Sequence, residues 1–397
     1  MDRFARTLVL LALAGPFAAH AADADPPPVR AEFDVRLRHE WVDDDAFSRD
    51  AEATTLRLRA GLRFALGHGW SALVEGEGIA HANDHYNSGA NGATTYPAVL
   101  DVEGAELNQA WLAWKGEQMR ATAGRQRIAL DNQRWVGHVG WRQNEQTFDA
   151  LEVQFTPAKA WSLRYAWLDK VHRVSGDDAI DPFARERDLS THLFNVSRTG
   201  THHTLGGYAY LHEDLDVPNA STATYGLRWT TRRTLASTTL GLALEVARQR
   251  DHADNALSFT HTYWLVEPSL AFKPVTITMG WEHLGGNGTH ALQTPLATLH
   301  AFNGWADRFL TTPPQGLEDR YVTLTGKQGA WTWTAAWHDF RPDHSAPGVA
   351  LFGRELDLSL ARPLGHGWSA LVKAADFRGD SPMRDSRKVW LQLQWTH

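Results

Sequence analysis

The sequence predicts an all-β protein, a transmembrane antiparallel β-barrel, because three observations point the same way. Its first residues have the pattern of an export signal. Many later segments alternate apolar and polar residues with a period of two, as do strands with one lipid-facing and one water-facing side. Between these segments, short turns alternate with long polar connections, which is typical of barrels that span an outer membrane.

The export signal occupies the N-terminus. Arg3 and Arg6 precede an apolar stretch over residues 8–19. Residues 19–21, Ala-His-Ala, then form a small-x-small cleavage site. The apolar stretch is shorter than the roughly 20 residues that a spanning helix needs. We therefore predict a signal peptide over residues 1–21, a periplasmic N-terminal extension over residues 22–31 and a single barrel domain over residues 32–397.

The alternation is clearest over residues 56–64, where apolar residues hold every even position and Arg57, Arg59 and Arg63 hold odd positions. Because successive side chains of a strand point to opposite faces, one face suits lipid and the other suits water. This alternation keeps the mean hydropathy low, at −0.39, even for a chain embedded in lipid. The same period recurs over residues 33–37, 161–167, 240–246, 275–281, 331–337, 356–360 and 389–395.

The spacing of the connections predicts the topology. Outer-membrane barrels have short periplasmic turns and long extracellular loops, so a regular alternation of the two implies about 18 strands with both termini on the periplasmic side. Tight turns are predicted near residues 67–69, 116–117, 157–159, 200–202, 233–234, 273–274, 328–329 and 363–366. Long loops are predicted over residues 43–53, 82–103, 131–145, 172–187, 213–221, 250–257, 285–316, 341–351 and 379–386.

Composition and motifs exclude several classes of function. Cysteine is absent, so the chain has no disulfide and no thiolate metal site. The 18 tryptophans suit aromatic girdles at two membrane interfaces. A net charge of −7 argues against nucleic acid as a partner. The acidic runs over residues 43–45, 177–178 and 214–216 could bind a divalent cation, but they lack a matching loop pattern and are interpreted as solvated. The sequence has no hydrolase, metalloprotease or phosphate-loop motif, so we expect no catalytic residue, metal site or cofactor.

The alternation also predicts which charged residues face the lumen. If the leucines of residues 56–64 face lipid, the arginines between them face inward, because a charge on the lipid face costs roughly 2–4 kcal/mol near the midplane. The same reasoning places inward the arginines Arg36, Arg38, Arg164 and Arg228. It also places inward the carboxylates Asp34, Glu75, Glu77, Glu152, Glu245, Glu282, Glu355 and Asp357.

Two roles are open to these inward arginines. They can form a ladder that attracts an anionic solute and passes it along the lumen. They can also pair with neighbouring carboxylates, because buried charges need partners. We expect both, with part of the arginines structural, since a satisfied lumen wall is required whatever passes through it.

Several motifs resemble those of a known family. Residues 124–137 read GRQRIALDNQRWVG, and residues 141–151 read WRQNEQTFDAL. Further on, residues 300–309 read HAFNGWADRF, followed by Pro313 and by GLED over residues 316–319. The short motifs HDF over residues 338–340 and GRELD over residues 353–357 fit the same pattern. Together they resemble the alginate export family of outer-membrane proteins, over essentially the whole chain that follows the signal peptide.

This resemblance implies an 18-stranded barrel with an arginine-rich, electropositive constriction that conducts an anionic polysaccharide. The family motifs contribute Arg125, Arg127, Arg134, Arg142, Asp149, Glu152, Asp307 and Arg308 as candidate site residues. The last two lie in the 285–316 loop, which is long enough to fold inward as a gate or plug. The complete candidate substrate path is Arg36, Arg38, Arg57, Arg59, Arg63, Arg125, Arg127, Arg134, Arg142, Asp149, Glu152, Arg164, Glu282, Asp307 and Arg308.

We therefore expect a passive channel in the outer membrane for an anionic polysaccharide or oligosaccharide such as alginate, acting without a cofactor. Its other partners are expected to be outer-membrane lipid and the barrel assembly machinery. A general anion-preferring porin for small solutes is the alternative within the same class. A barrel enzyme and a structural barrel are less favoured, because the sequence shows no nucleophile–base pair and about 18 strands enclose space for water.

Overall fold

The computed structural model describes residues 28–344 and 348–397. Within these ranges, 18 strands form one antiparallel sheet, in which each strand pairs with its neighbours in sequence and the first strand also pairs with the last. The sheet is therefore a closed barrel, and the predicted fold class is confirmed. The predicted signal peptide lies outside the described residues.

The strands are labelled in chain order, and the described chain also contains one α-helical turn, α1 (Pro182–Arg185). No described helix is long and apolar enough to cross a membrane. The strands are β1 (Val29–Asp44), β2 (Ala51–Gly67), β3 (Trp70–His81), β4 (Gly104–Lys115), β5 (Met119–Gln126), β6 (Thr147–Phe155), β7 (Trp161–His172), β8 (Glu186–Thr199), β9 (His203–His212), β10 (Thr222–Leu235), β11 (Thr238–Asp251), β12 (Thr260–Phe272), β13 (Val275–Leu284), β14 (Leu317–Gln328), β15 (Trp331–Arg341), β16 (Gly353–Gly365), β17 (Trp368–Gly379) and β18 (Ser386–Thr396).

The connections alternate between short turns and long loops, as the sequence predicts. The turns include residues 68–69 and 273–274, and the loops at the opposite end include residues 82–103 and 285–316. One turn lies slightly later than predicted. β10 and β11 stay paired as far as Leu235 and Thr238, so the chain reverses at Ala236, whose φ is 53°.

β1 begins at Val29, within the predicted N-terminal extension. Residues 29–31 pair with residues 62–64 of β2, so the barrel wall starts there. Arg30 thereby joins Glu32 and Asp34 on the inner face of β1, at the periplasmic end of the lumen. The inner face of β1 thus carries charges of both signs from its first residues onward.

The two faces of the wall differ sharply in polarity. Leu56, Leu58 and Leu62 are 42–48% exposed on the outer surface, whereas Arg57 and Arg59 of the same strand are buried inside the barrel. Since successive strand residues alternate between the faces, lipid meets the leucines and the lumen receives the arginines. Near the turns, the outer surface also carries the exposed tryptophans Trp70, Trp161, Trp331 and Trp368.

Candidate functional site in the lumen

Two connections of the described chain fold into the lumen and meet there. The first inserted segment, residues 127–146, joins β5 to β6, and the second inserted segment, residues 285–316, joins β13 to β14. Val136 and Leu296 form a parallel bridge between the segments. The Gly137 N–H donates to the Leu296 carbonyl at 2.9 Å. Backbone from both segments therefore fills the middle of the lumen, and the inward folding expected of residues 285–316 is what the structure has.

Two arginines of β1 hold the first inserted segment by its backbone. Arg36 Nη1 donates to the carbonyls of Gly140, Trp141 and Arg142, each at 3.2 Å. Arg38 Nη2 donates to the Trp141 carbonyl at 2.6 Å, and its guanidinium lies 4.1 Å from the centre of the Trp141 ring. Both guanidinium groups thus bind neutral oxygen atoms of an inserted loop.

Two arginines of β2 are paired with carboxylates instead. Arg57 lies 2.7 Å from an oxygen of Asp34. Arg59 pairs with Glu77 of the neighbouring strand, and its other nitrogen lies 3.2 Å from Glu145 of the first inserted segment. Arg57, Arg59, Glu77 and Glu145 are buried, whereas Asp34 is partly open to the lumen, so removing a carboxylate partner would leave an uncompensated buried guanidinium.

Asp307 of the second inserted segment contacts one histidine of its own segment and two cations from distant parts of the chain. His300 Nδ1 donates to its carboxylate at 2.7 Å, Arg142 Nη2 lies at 3.3 Å and Lys388 Nζ at 3.2 Å. Burial would raise the pKa of Asp307, but the hydrogen bond from His300 and the positive charges of Lys388 and Arg142 outweigh that effect and hold the pKa well below its ordinary value. The carboxylate is therefore ionised at neutral pH and ties both inserted segments to the wall.

His300 connects Asp307 to a lysine of β17. Burial lowers the pKa of His300 to about 3 against the opposing effect of Asp307, so the imidazole is neutral at pH 7. Its Nδ1–H then donates to Asp307, and its Nε2 accepts from the Lys373 ammonium at 2.7 Å. Lys373 Nζ also lies 4.1 Å from the ring centre of Trp141 and 3.7 Å from that of Trp305. This lysine therefore contacts both inserted segments at once.

A tight turn of the second inserted segment rests on two buried carboxylates of β16. The Ala306 N–H donates to Glu355 at 2.7 Å, and the Trp305 N–H donates to Asp357 at 3.2 Å. Gly304, which precedes them, has a φ of 83°, and a Cβ atom there would collide with the Glu355 carboxylate. The glycine is therefore required for the backbone to approach the wall so closely.

Two further candidates anchor the second inserted segment to other strands of the wall. Arg134 Nε lies 2.9 Å from Glu282 of β13, and Arg134 Nη2 donates to Asn303 Oδ1 at 3.0 Å. Arg308 pairs with Asp44 at the end of β1. Arg134 and Glu282 are both almost fully buried, so they act here as internal supports of the inserted segments.

The remaining candidate arginines line the wall and are partly open to the lumen. Their side chains are 22–41% exposed, and each pairs with a carboxylate. Since exposed ion pairs are worth little, such arginines can exchange partners at small cost. The pairs are Arg63 with Glu32 at 2.7 Å, Arg125 with Asp149 at 2.9 Å, Arg127 with Glu75 at 2.8 Å, and Arg164 with Glu152.

The balance of charge is uneven along this set of residues. Among the described residues, Arg36 and Arg38 form no ion pair with a carboxylate, whereas the other arginines of the candidate path each have at least one. Pairing with carboxylates, the structural role considered in the sequence analysis, therefore accounts for many contacts of these arginines. A role of any of these residues in conduction stays a prediction.

A cavity of about 340 Å³ opens on the periplasmic side of the first inserted segment. We call it the vestibule, and its acidic and basic lining residues are Arg30, Arg36, Arg59, Arg127, Glu32, Asp34, Glu75 and Glu145. Because acidic and basic groups alternate there, the vestibule is polar without being uniformly positive. Arg36 stands at its inner limit, where the vestibule meets the inserted backbone.

Sequence reasoning missed Lys373 and Lys388 as lumen residues. The signal was present, because Val372 and Leu391 are exposed on the outer surface and residues of the opposite parity must point inward. His300 and Asn303 lay within a motif quoted for the family but gave no sign of their partners. Their contacts depend on where the second inserted segment meets the wall, which no local pattern encodes.

A closed barrel with a lipid-facing outer surface, a polar lumen and inserted loops defines an outer-membrane channel. The family model described as alginate export matches residues 28–259, and the chain belongs to that family. Comparison with curated proteins gives no significant match.

Solved outer-membrane channels share the fold. OpdK from Pseudomonas aeruginosa, solved with vanillate, is 13% identical with a TM-score of 0.72, covering 92% of this chain and 98% of its own. OccK9 (OpdG) from the same organism is 12% identical with a TM-score of 0.74, covering 93% and 98%. OccAB2 from Acinetobacter baumannii is 14% identical with a TM-score of 0.72, covering 92% and 98%. At these identities the likeness concerns the fold alone.

Proposed function

We propose that this outer-membrane channel passes an anionic polysaccharide or oligosaccharide, such as alginate, along a lumen lined by arginine. The observation that carries the proposal is the position of Arg36 and Arg38 on the lumen wall. Neither has a carboxylate partner in the described chain, and both donate to backbone carbonyls of the first inserted segment. Membership of the alginate export family supports the same class of substrate.

A sugar carboxylate would compete with those carbonyls for the same guanidinium donors. Hydrogen bonds between ionised partners are roughly twice as strong as neutral ones, and a carboxylate matches the planar fork of arginine. Exchange of a carbonyl for a carboxylate would release residues 140–142 of the inserted segment as the substrate arrives. The exposed Arg30 and the partly exposed Arg127 in the vestibule would offer neighbouring weak sites, from which a polymer can advance without being trapped.

A general anion-preferring porin for small solutes is the second candidate. The observation that favours it is that both inserted segments cross the lumen and join at Val136 and Leu296, which leaves little room for a polymer unless they move. The structure of OpdK with vanillate, which has the same fold, also favours a small solute. The two candidates differ in whether the inserted segments must be displaced during transport.

Single-channel recording of the purified protein in planar bilayers separates these candidates. We expect the currents to be anion-selective. Alginate oligomers added on the periplasmic side should block them. The double substitution Arg36→Ala with Arg38→Ala should weaken this block by about tenfold, which corresponds to ~1.4 kcal/mol, and should reduce anion preference. Currents that small carboxylates block but alginate oligomers do not affect would favour the porin.

The matched control is Arg198→Ala. Arg198 lies on β8 with the outward parity of Phe194 and Val196, which are 45% and 41% exposed on the outer surface, so its loss should leave the block unchanged. Cation-selective currents, or a block that is equally strong in the double variant, would overturn the arginine-lined path. Migration of the folded barrel on unheated gels shows that each variant has assembled.

A further inference from the structure

We propose that His283, Glu318 and Asp343 form a binding site for one divalent transition metal ion, with Zn²⁺ as the best match, on the outer face of the barrel at its extracellular end. One ligand atom from each of the three side chains lies within 4.8 Å of the others. The site is outside the lumen and does not depend on the proposed transport function.

The strands bring these residues together from three parts of the chain. His283 and Glu318 are direct partners in the register of β13 and β14, and Asp343 follows the end of β15 by two residues. Met279 and Trp281 are 55% and 42% exposed on the outer surface, and His283 shares their parity on β13. The cluster therefore faces away from the lumen, next to the point where long loops begin.

His283 lacks a hydrogen-bond partner on the nitrogen that points into the cluster. The residue is 8% exposed, and its ring stacks on Trp264 with centroids 5.2 Å apart. Its Nδ1 atom is closed off from solvent and has no hydrogen bond within the described chain. The nearest carboxylate oxygen, on Asp343, lies 3.6 Å away, which is too far for a hydrogen bond. An unsatisfied buried polar atom is costly, and a metal ion would satisfy it.

Both carboxylates are oriented by a second contact. One oxygen of Asp343 accepts from the Gly286 N–H at 3.0 Å, which turns the other oxygen toward His283. Glu318 accepts from Arg320 Nη2 at 2.8 Å. Such outer contacts orient ligands in known metal sites. The two carboxylates outweigh the single positive charge of Arg320, and Arg341, which lies opposite Glu318, is paired with Asp339, so a dication is still attracted.

The donor set indicates the class of metal. One imidazole and two carboxylates suit Zn²⁺, which often keeps three protein ligands and one open position, whereas Ca²⁺ and Mg²⁺ prefer oxygen alone. Ligand atoms around tetrahedral zinc lie roughly 3.4 Å apart. Small rotations of the two carboxylate side chains would close the cluster to that size.

A bound ion would hold together the two ends of the second inserted segment. His283 and Glu318 lie on either side of residues 285–316, and Asp343 already accepts from the second residue of that segment, Gly286. The ion would bind one residue before the segment, His283, one residue after it, Glu318, and Asp343 of the neighbouring loop. We therefore expect metal binding to stabilise the segment as well as the barrel rim.

The test uses the full-length folded protein in detergent, stripped of metal with a chelator and titrated with Zn²⁺ by calorimetry. We expect one saturable site per chain, and His283→Gln and Glu318→Gln should each weaken it by about tenfold or more. Titration with Co²⁺ should give the absorption bands of a four-coordinate nitrogen–oxygen site, and these should disappear in His283→Gln.

The matched control is His290→Gln, because His290 lies in the same segment but is hydrogen-bonded to His261 at 2.7 Å. Its affinity for Zn²⁺ should equal that of the unmodified protein. Absence of saturable binding, or equal affinity in His283→Gln and His290→Gln, would overturn the site and leave only adventitious binding to surface histidines. Gel migration of unheated samples verifies that every variant is folded.

Discussion

Asp307 shows how a single residue can organise the interior of this barrel. Its carboxylate contacts His300 within its own segment, Arg142 of the other inserted segment and Lys388 of β18. Lys388 has no other carboxylate partner in the described chain, and buried charges need partners. One ionised side chain therefore joins both inserted segments to the wall.

Replacing Asp307 with asparagine should destabilise the protein strongly. The amide keeps the shape but not the charge, so Arg142 loses one of its two carboxylates and Lys388 loses its partner. Breaking a buried ion pair costs about 3–5 kcal/mol, and we expect a loss of that size in urea unfolding followed by tryptophan fluorescence. The control Asp254→Asn removes an exposed loop carboxylate and should change the free energy of unfolding by less than about 0.5 kcal/mol. Similar losses in both variants would contradict this role of Asp307.

For single residues, the sequence predicts which face of the wall a side chain occupies, but not which residues it contacts. The alternation around Arg57 places it inside, because the opposite parity would put a charge in lipid. Nothing in the sequence near Arg36 indicates that it binds the carbonyls of residues 140–142, about a hundred positions away. That contact exists only because the first inserted segment crosses the lumen, which is decided by tertiary packing.

Among the elements of the fold, the second inserted segment depends most on close backbone contact. Its turn at Gly304 to Ala306 places two N–H groups on Glu355 and Asp357 of β16. These carboxylates accept from the backbone, so the segment is held at a fixed distance from the wall. Another anchor, Arg308 with Asp44 at the end of β1, lies three strands further round the closed wall.

Substituting Gly304 with alanine should loosen this segment. The residue has a φ of 83°, and a Cβ atom would meet the Glu355 carboxylate. We expect a cost of about 1–3 kcal/mol, seen as a larger single-channel conductance with more frequent gating. Gly92→Ala is the matched control, since Gly92 has a φ of 69° but open space around its Cβ position. Unchanged conductance in Gly304→Ala would show that the turn does not restrict the lumen.

At the scale of the whole molecule, stability in lipid depends on closure of the sheet into a barrel. β1 pairs with β18 from Asp34 opposite Thr396 to Asp44 opposite Ser386. Beyond that ladder, the backbones of Phe33 and His397 exchange hydrogen bonds at 3.0 and 3.2 Å. Closing the sheet removes both edges, and an edge in a membrane would expose unpaired polar groups.

Deleting residues 386–397 should prevent assembly, because the edges of β1 and β17 would face lipid with unpaired backbone groups that cost several kcal/mol each. We expect no heat-sensitive folded band on gels and no channels in bilayers. Deleting His397 alone is the control, since the strand ladder to Thr396 remains and the barrel should still fold. A folded band from the longer deletion would mean that the remaining strands close by another register.

The whole-molecule topology was the part most accessible from sequence. Alternating residues and alternating connection lengths predict a closed barrel of about 18 strands, because lipid permits so few arrangements of a chain. The turn after β10 lies later than predicted, because β10 and β11 remain paired as far as Leu235 and Thr238, beyond the residues that favour a turn. The filling of the lumen was not predictable in detail, since polar loops carry no periodic signal that indicates where they settle.

The anchors of the inserted segments have a consequence for the order of assembly. Arg142 binds Glu40 of β1, and Asp307 binds both Arg142 and Lys388 of β18. The first strand to be synthesised and the last therefore stand on either side of one chain of contacts. That chain of contacts is complete only when the seam has closed. The segments that narrow the lumen thus take their final places last, after the wall that surrounds them exists.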